Sequence, residues 1–419
     1  MTTEEETTNS IITTFKSLLE QAAVSKHHRT AEQATLLLDG GVSTYILETL
    51  LPQHNNNAQA AANSDDSAYK DRPPTSMISY NRALWSSSLL MSEEGCKLIK
   101  RAHLDFLNAG SDIISTVTYQ CHYDKTVLAS LNIDDVKMDE LLRVGVRLAR
   151  EALQEFQGRS VDRKDNNNVC NATSAPARQY FVVASIGCYG ASLADGSEYT
   201  GNYDLSIVEL SEYHRRKYAV LCGEMPDCIA FETIPCIDEC LAILRLLNEP
   251  RGLTQQKPEE VANFPPVWIS FACQDGQRLN DGHLLTDALD AIHCADPEAN
   301  IVHAIGVNCC ACKYVSSLVG TIARHAIAKE SRRAIVFYPN SGEVWNAENE
   351  SWEISTGENE CSFASIVSDA IEIIDAELSS RCSGGEHIDV PMKIVGGCCR
   401  TDPDTIAAIR MQIAKAVTQ

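Results

Sequence analysis

Eight short apolar runs recur along the chain, each closing on glycine, asparagine, cysteine or another polar residue. They are Thr35–Gly41, Asp112–Tyr119, Tyr180–Gly187 and Cys228–Ile234, then Val267–Cys273, Ile301–Cys309, Ala334–Ser341 and Met392–Cys399. Most are near-continuous hydrophobic stretches rather than alternating ones, as strands are when helices cover both sheet faces. Between them, apolar positions return every three to four residues, which predicts amphipathic helices. The clearest are Glu94–Leu107, Asp139–Phe156, Ile207–Leu221, Asp238–Leu247 and Pro403–Val417. Strand and helix alternating eight times predict an α/β fold, a (β/α)8 TIM barrel.

A minimal unit of such a barrel takes about 30 residues. The first three intervals between strand starts and the last are longer, so surface insertions are expected there. Two segments, near 53–75 and 159–177, are rich in Asn, Asp and other polar residues and are expected to be disordered. Gly252–Pro266 reads as a third surface loop. Residues 1–30 read as an N-terminal appendage, partly helical or disordered, and residues 31–419 as one decorated barrel domain.

Charge and cysteine content narrow the function. The chain has 57 Asp and Glu against 35 Lys and Arg, a formal charge of −22, which argues against a nucleic-acid partner. No apolar run approaches the roughly 18 residues that span a bilayer, so no membrane partner is expected. The opening MTTEEETTNS is acidic where a secretory signal would be basic. A cytoplasmic, reducing compartment is therefore expected. In that setting the 17 cysteines read as buried thiols, metal ligands or reactive groups rather than a disulfide framework.

In a barrel the chemistry gathers at the C-terminal ends of the strands. Those ends carry Asp39-Gly40-Gly41, Glu232-Thr233, Asn308-Cys309-Cys310, Asn340-Ser341 and Gly396-Gly397-Cys398-Cys399-Arg400. Strands six and eight are separated by one strand, so Cys309 and the vicinal Cys398 and Cys399 can face a common point. Three thiolates would leave tetrahedral zinc one open position, as in catalytic sites. Equally, these can be small buried hydrophobes in a cysteine-rich protein. Asp39 before two glycines can be a turn residue. Glu232 at the end of an apolar strand can serve a ligand or a structural ion pair. Trp85, in LWSSSLL, can be packing.

Seven segments in order resemble the homocysteine S-methyltransferase family, zinc-dependent barrels related to betaine–homocysteine methyltransferase. They are LLLDGGVSTYILE, AGSDIISTVTYQ, SIGCYGASLADGSEYTGNY, FETIP, GVNCC, YPNSGEVW and GGCCRTDPDTI, from Leu37 to about Ile409. The resemblance implies that Cys309, Cys398 and Cys399 bind one Zn2+ per chain. It implies that Asp39 and Gly40 hold the amino-acid end of homocysteine, with Glu232 on its ammonium group and Asn308 shaping the same pocket. Trp85 falls where relatives have an LWS segment near the methyl donor. The residues before it, Asn81-Arg82-Ala83, depart from the usual pattern, and GVNCCACKYV lacks the proline often found after this strand.

The activity so implied is methyl transfer from S-methylmethionine, with S-adenosylmethionine as a further donor, to the thiolate of L-homocysteine, giving methionine. Zinc would deprotonate the acceptor thiol, whose free pKa near 8.5 otherwise leaves little thiolate at neutral pH. The alternatives are the same site with betaine as donor or a selenol as acceptor, or a non-catalytic zinc-binding or redox-responsive barrel.

Overall fold

A computed structural model describes residues 15–19, 35–62, 77–165, 178–249, 264–346, 351–353, 357–379 and 391–418. Eight parallel strands lie in the sheet order β1-β10-β7-β6-β5-β4-β3-β2. They are β1 (Thr35–Leu37), β2 (Ile113–Ser115), β3 (Phe181–Gly187), β4 (Cys228–Ile234), β5 (Val267–Phe271), β6 (Val302–Ala311), β7 (Ala334–Asn340) and β10 (Lys393–Val395). A parallel bridge between Leu38 and Ile113 joins the two edges, so the sheet is nearly closed into a TIM-type barrel. Each apolar run of the sequence supplies one strand. β3 and β5 are buried along their whole length, as strands covered on both faces must be. The remaining pair, β8 (Val344–Asn346) and β9 (Ser351–Glu353), forms a small antiparallel hairpin that the sequence pattern does not suggest.

The predicted helices are present as Glu93–Ala109, Asp135–Asp165, Ile207–Gly223, Ile237–Asn248 and Pro403–Thr418. Their ends follow local chemistry. Ser206 and Glu209 form a reciprocal capping box at the start of Ile207–Gly223, and Gly110 ends Glu93–Ala109 in the left-handed conformation at φ 112°.

The expectation of disorder near 53–75 needs correcting for its first part, because Leu51–Ala62 is helical. The Ala- and Gln-containing stretch has good helix propensity. Asn55 also pins it, donating to the Ile78 carbonyl and accepting from the Ile78 N–H, each at 2.9 Å. Likewise 159–165 continues the helix that begins at Asp135. Residues 63–76, 166–177 and 250–263, where the remaining insertions were expected, lie outside the described residues, as does most of 1–30.

The barrel interior is filled by Leu38, Val183, Ala230, Trp268, Ala304, Val336, Tyr338 and Ile394. Phe15 and Leu19, from the helical stretch 15–19, join this cluster. Phe15 packs edge-on against Phe181, the first residue of β3, with ring centroids 4.5 Å apart. The segment therefore seals the end of the barrel at which the strands begin. No helix among the described residues is long and apolar enough to cross a membrane.

Candidate metal centre and substrate pocket

At the opposite rim the Sγ atoms of Cys309, Cys398 and Cys399 all lie within 4.8 Å of one another, with Cys309 and Cys399 3.9 Å apart. Among the described residues it is the only such group of potential metal ligands. Two different local devices bring it together. β6 loses register with β7 between Asn308 and Ala311, and Cys309 in that bulge takes φ 49°. A non-glycine residue in that region costs about 1–3 kcal/mol and persists only where its surroundings enforce it. The loop after β10 is threaded through a space only glycine fits: a Cβ at Gly396 would stand 2.7 Å from the Asp39 carbonyl. The Cys398 N–H donates to the Pro339 carbonyl at 2.7 Å, which fixes the vicinal pair against β7.

Asn340 ties the two halves of the thiol group to each other. Its Nδ2 donates to the Cys309 carbonyl and its Oδ1 accepts from the Cys399 N–H, both at 3.2 Å. Hydrogen bonding among the thiols, together with burial, leaves each one well above the ordinary thiol range. Three thiolates cannot share so small a space without a cation. Three soft donors on one side, partly buried, fit a tetrahedral ion with one position left open.

Two carboxylates stand beside the thiols. Asp39 follows β1 and is 2 % exposed; its Oδ2 accepts from the Ser115 N–H at 2.6 Å and its Oδ1 from the Ser115 hydroxyl at 3.1 Å. Burial raises this carboxyl well above its usual range despite those bonds, and the neighbouring Glu232 raises it further. Glu232 is on β4, level with Gly187 of β3. Its Oε1 accepts from the Ser185 hydroxyl and its Oε2 from the Tyr338 hydroxyl at 2.9 Å. Burial raises its pKa as well, opposed by those two donors and by the Lys217 ammonium. Lys217 is itself buried, donates to the Tyr119 carbonyl at 2.8 Å and is lowered to about 8 by desolvation.

Asn308 is fully buried beneath the bulge. It accepts from the Thr233 N–H at 2.7 Å and donates to the Thr233 hydroxyl at 2.8 Å. Thr233 itself sits at φ 61°, where β4 slips register against β5. Asn308 thus couples the kink that follows Glu232 to the kink that presents Cys309. Gly40 packs against the loop after β10, where a Cβ would meet the Thr401 carbonyl at 2.7 Å. Asp39, Gly40, Glu232, Asn308 and the three cysteines are therefore gathered at one rim.

Trp85 stands apart. It opens the 3-10 turn Ser86–Met91 at φ 47°, and the loop is tied to the rim through the Ser86–Ser43 hydroxyl pair at 2.6 Å. No hydrogen bond among the described residues links Trp85 to the thiols or the carboxylates. Asn340 stands at a strand end that the sequence pattern marks, whereas Tyr338, Ser115 and Ser185 lie within their apolar runs and carry no such signal.

Comparison with known proteins gives matches over most of the chain. The profile of the homocysteine S-methyltransferase family matches residues 36–413. Homocysteine S-methyltransferase 1 of Arabidopsis thaliana is 33% identical over 346 residues, covering 80% of this chain and 88% of the relative. The selenocysteine Se-methyltransferase of Brassica oleracea var. italica is 34% identical over 335 residues, covering 80% and 83%. Among solved structures, the metallated form of the homocysteine methyltransferase MmuM from Escherichia coli superimposes with a TM-score of 0.58 at 25% identity, covering 91% of this chain and 97% of that one.

Proposed function

The chain belongs to the homocysteine S-methyltransferase family, and on that premise we infer that it moves a methyl group from S-methylmethionine to the thiolate of L-homocysteine, forming methionine. S-adenosylmethionine is a second donor of the same sulfonium chemistry. The observation that supports this reading is the convergence of Cys309, Cys398 and Cys399 within 4.8 Å at the rim where Asp39 and Glu232 also stand. The metal we assign to the thiols is zinc; when bound, it supplies a Lewis acid that lowers the pKa of an acceptor thiol in its open position.

The chain's own groups do the rest. Glu232 holds the homocysteine ammonium, and Asp39 with the Gly40 backbone holds the remainder of its amino-acid end. The Ser185 and Tyr338 hydroxyls keep Glu232 acceptor-only by donating to both of its oxygens, and an arriving ammonium favours the ionised carboxylate further. Asn308 keeps the strand kinks in place so that carboxylate and thiols face the same point. The aligned acceptor then needs only an in-line approach by the donor methyl, and positioning of this kind can supply about 7–11 kcal/mol of a bimolecular barrier. We place Trp85 on the donor side of the pocket. A reducing cytoplasm suits a site built of free thiols, and none of the described cysteines forms a disulfide.

Methionine formation from homocysteine and S-methylmethionine, with and without a zinc chelator under reducing conditions, tests the reading. Turnover that the chelator abolishes and zinc restores is the expected result. Full turnover by metal-free protein, or none by protein with zinc bound, would refute it. A selenol acceptor is a second reading, favoured by the selenocysteine methyltransferase relatives. Competition between homocysteine and selenocysteine for the same donor separates the two.

A further inference from the structure

The loop after β3 brings a third carboxylate towards the site, and its surroundings are unlike those of Asp39 or Glu232. Glu198 lies in the turn Ser197–Tyr199. Its Oε2 is buried and has no hydrogen-bond partner, and no lysine, arginine or histidine among the described residues pairs with it. Burial raises its pKa, and the nearby Asp195 adds to the rise. An unpaired buried carboxylate oxygen is costly unless a ligand completes it.

The turn is held rigidly. Asn280, from the loop after β5, donates to the Glu198 carbonyl at 3.0 Å. On the other side the Glu198 backbone lies so close to Gly190 that a Cβ there would meet the Glu198 nitrogen at 2.5 Å. Two tyrosine phenols lie within electrostatic reach of the carboxylate. The phenol of Tyr199 is within electrostatic reach of Glu198 and of Cys309, Cys398 and Cys399 together. Tyr119, from the loop after β2, lies within reach of Glu198 and Cys309, with its hydroxyl 3.9 Å from the Cys188 sulfur. Tyr199 is 42% exposed, so solvent reaches it.

We propose that Glu198, with Tyr119 and Tyr199 near it, is the cation subsite that recognises the positive charge of the methyl donor. The proposal rests on the methyl-transfer reading above and names the part of the site that reads the donor. A carboxylate and two electron-rich ring faces are the groups that favour an onium centre, whose charge is spread over carbon substituents and accepts no directed hydrogen bond. In the reaction the donor's methyl C–S bond breaks and its electron pair remains on the departing thioether. A pair on the acceptor thiolate forms the new C–S bond. The donor's positive charge disappears in the same step, so a subsite that binds the onium ion loses its hold on the neutral product. Glu198 thus contributes to donor selection and to product release.

The test compares the zinc-loaded protein with its Glu198→Gln variant, which keeps the shape and removes the charge. The expected result is a rise in the KM for S-methylmethionine of about ten- to hundredfold. The KM for homocysteine, the inhibition constant of methionine against the donor, and the zinc content should all stay within about twofold. Tyr199→Leu, which removes the ring, should raise the donor KM several-fold. An unchanged donor KM in Glu198→Gln, beside active wild-type protein, overturns the subsite. Equal weakening of methionine and S-methylmethionine also overturns it, because Glu198 would then read the ammonium group and not the onium charge. Wild-type protein with zinc bound that turns over neither S-methylmethionine nor betaine overturns the methyl-transfer reading itself.

Discussion

The hydrogen-bond chain behind Glu232 makes Tyr338→Phe the most informative single change. The Tyr338 hydroxyl is buried, donates to Glu232 Oε2 at 2.9 Å, pairs with the Ser270 hydroxyl at 2.7 Å and accepts from Trp268 Nε1 at 3.3 Å. Removing one oxygen leaves Glu232 with Ser185 as its remaining donor and takes a partner from both Ser270 and Trp268. A buried hydrogen bond to an ionised group contributes about 1.5–3 kcal/mol. About 1.4 kcal/mol is a factor of ten, so the KM for homocysteine should rise roughly ten- to hundredfold at neutral pH.

The pH dependence has a definite sign. Burial already holds the Glu232 carboxyl above its ordinary value, and the Tyr338 hydroxyl is one of the groups that opposes this. Without it the carboxylate forms at higher pH, so the KM defect should shrink as pH rises. Stability should move the other way. Below the ordinary carboxyl pKa, Glu232 is protonated whether the chain is folded or not, and the variant lacks only the neutral hydrogen bonds. As pH rises, the unfolded chain ionises first, so the destabilisation should grow towards neutral pH. Steady-state methionine formation and thermal unfolding, each followed across pH, measure the two trends. A Tyr338→Phe protein whose homocysteine KM and pH profile match the wild type would refute the role given to this chain.

Asn340→Ala removes both bonds that tie Cys309 to Cys399, so metal affinity should fall about 10–100-fold with the cysteines intact; competitive chelator titration measures this. Phe15→Ala opens a cavity at the sealed end of the barrel and should cost about 3–5 kcal/mol of stability. Because that end is remote from the thiols, denaturant unfolding should change while the KM for both substrates stays put. A change in KM without loss of stability would contradict the placement of Phe15.

The barrel was legible because helices cover both strand faces, which leaves runs such as FVVASIG and VWISF apolar throughout. The same property hides the roles within a strand. A fully buried strand does not announce which side chains face the barrel axis, so Tyr338 read as one more apolar residue of AIVFYPNS. The thiols were visible because they close their strands. The backbone that aims them was not, since nothing in the sequence signals positive φ at Thr233 or Cys309. Asn340 was seen at a strand end, but its bridging role depends on β6, β7 and the loop after β10 arriving together. Helix Leu51–Ala62 was missed because its asparagines suggested a loop, whereas the Asn55–Ile78 contact that fixes it is made in the fold.

The seam between β1 and its neighbours sets when the site can come into being during synthesis. β1 is paired along its length with β10, and its other edge meets β2 through the Leu38–Ile113 bridge. The Gly41 N–H, two residues past Asp39, is satisfied by the carbonyl and the hydroxyl of Thr401, 360 residues later. A nascent chain that has emerged only as far as β7 therefore holds its first strand without its principal partner. It carries Asp39 and Cys309 but no Cys398 or Cys399 to complete the cluster. On the role proposed for the three thiols, partial translation products should therefore be inert towards the acceptor thiol, and methyl transfer should begin only when the last strand is delivered to the first.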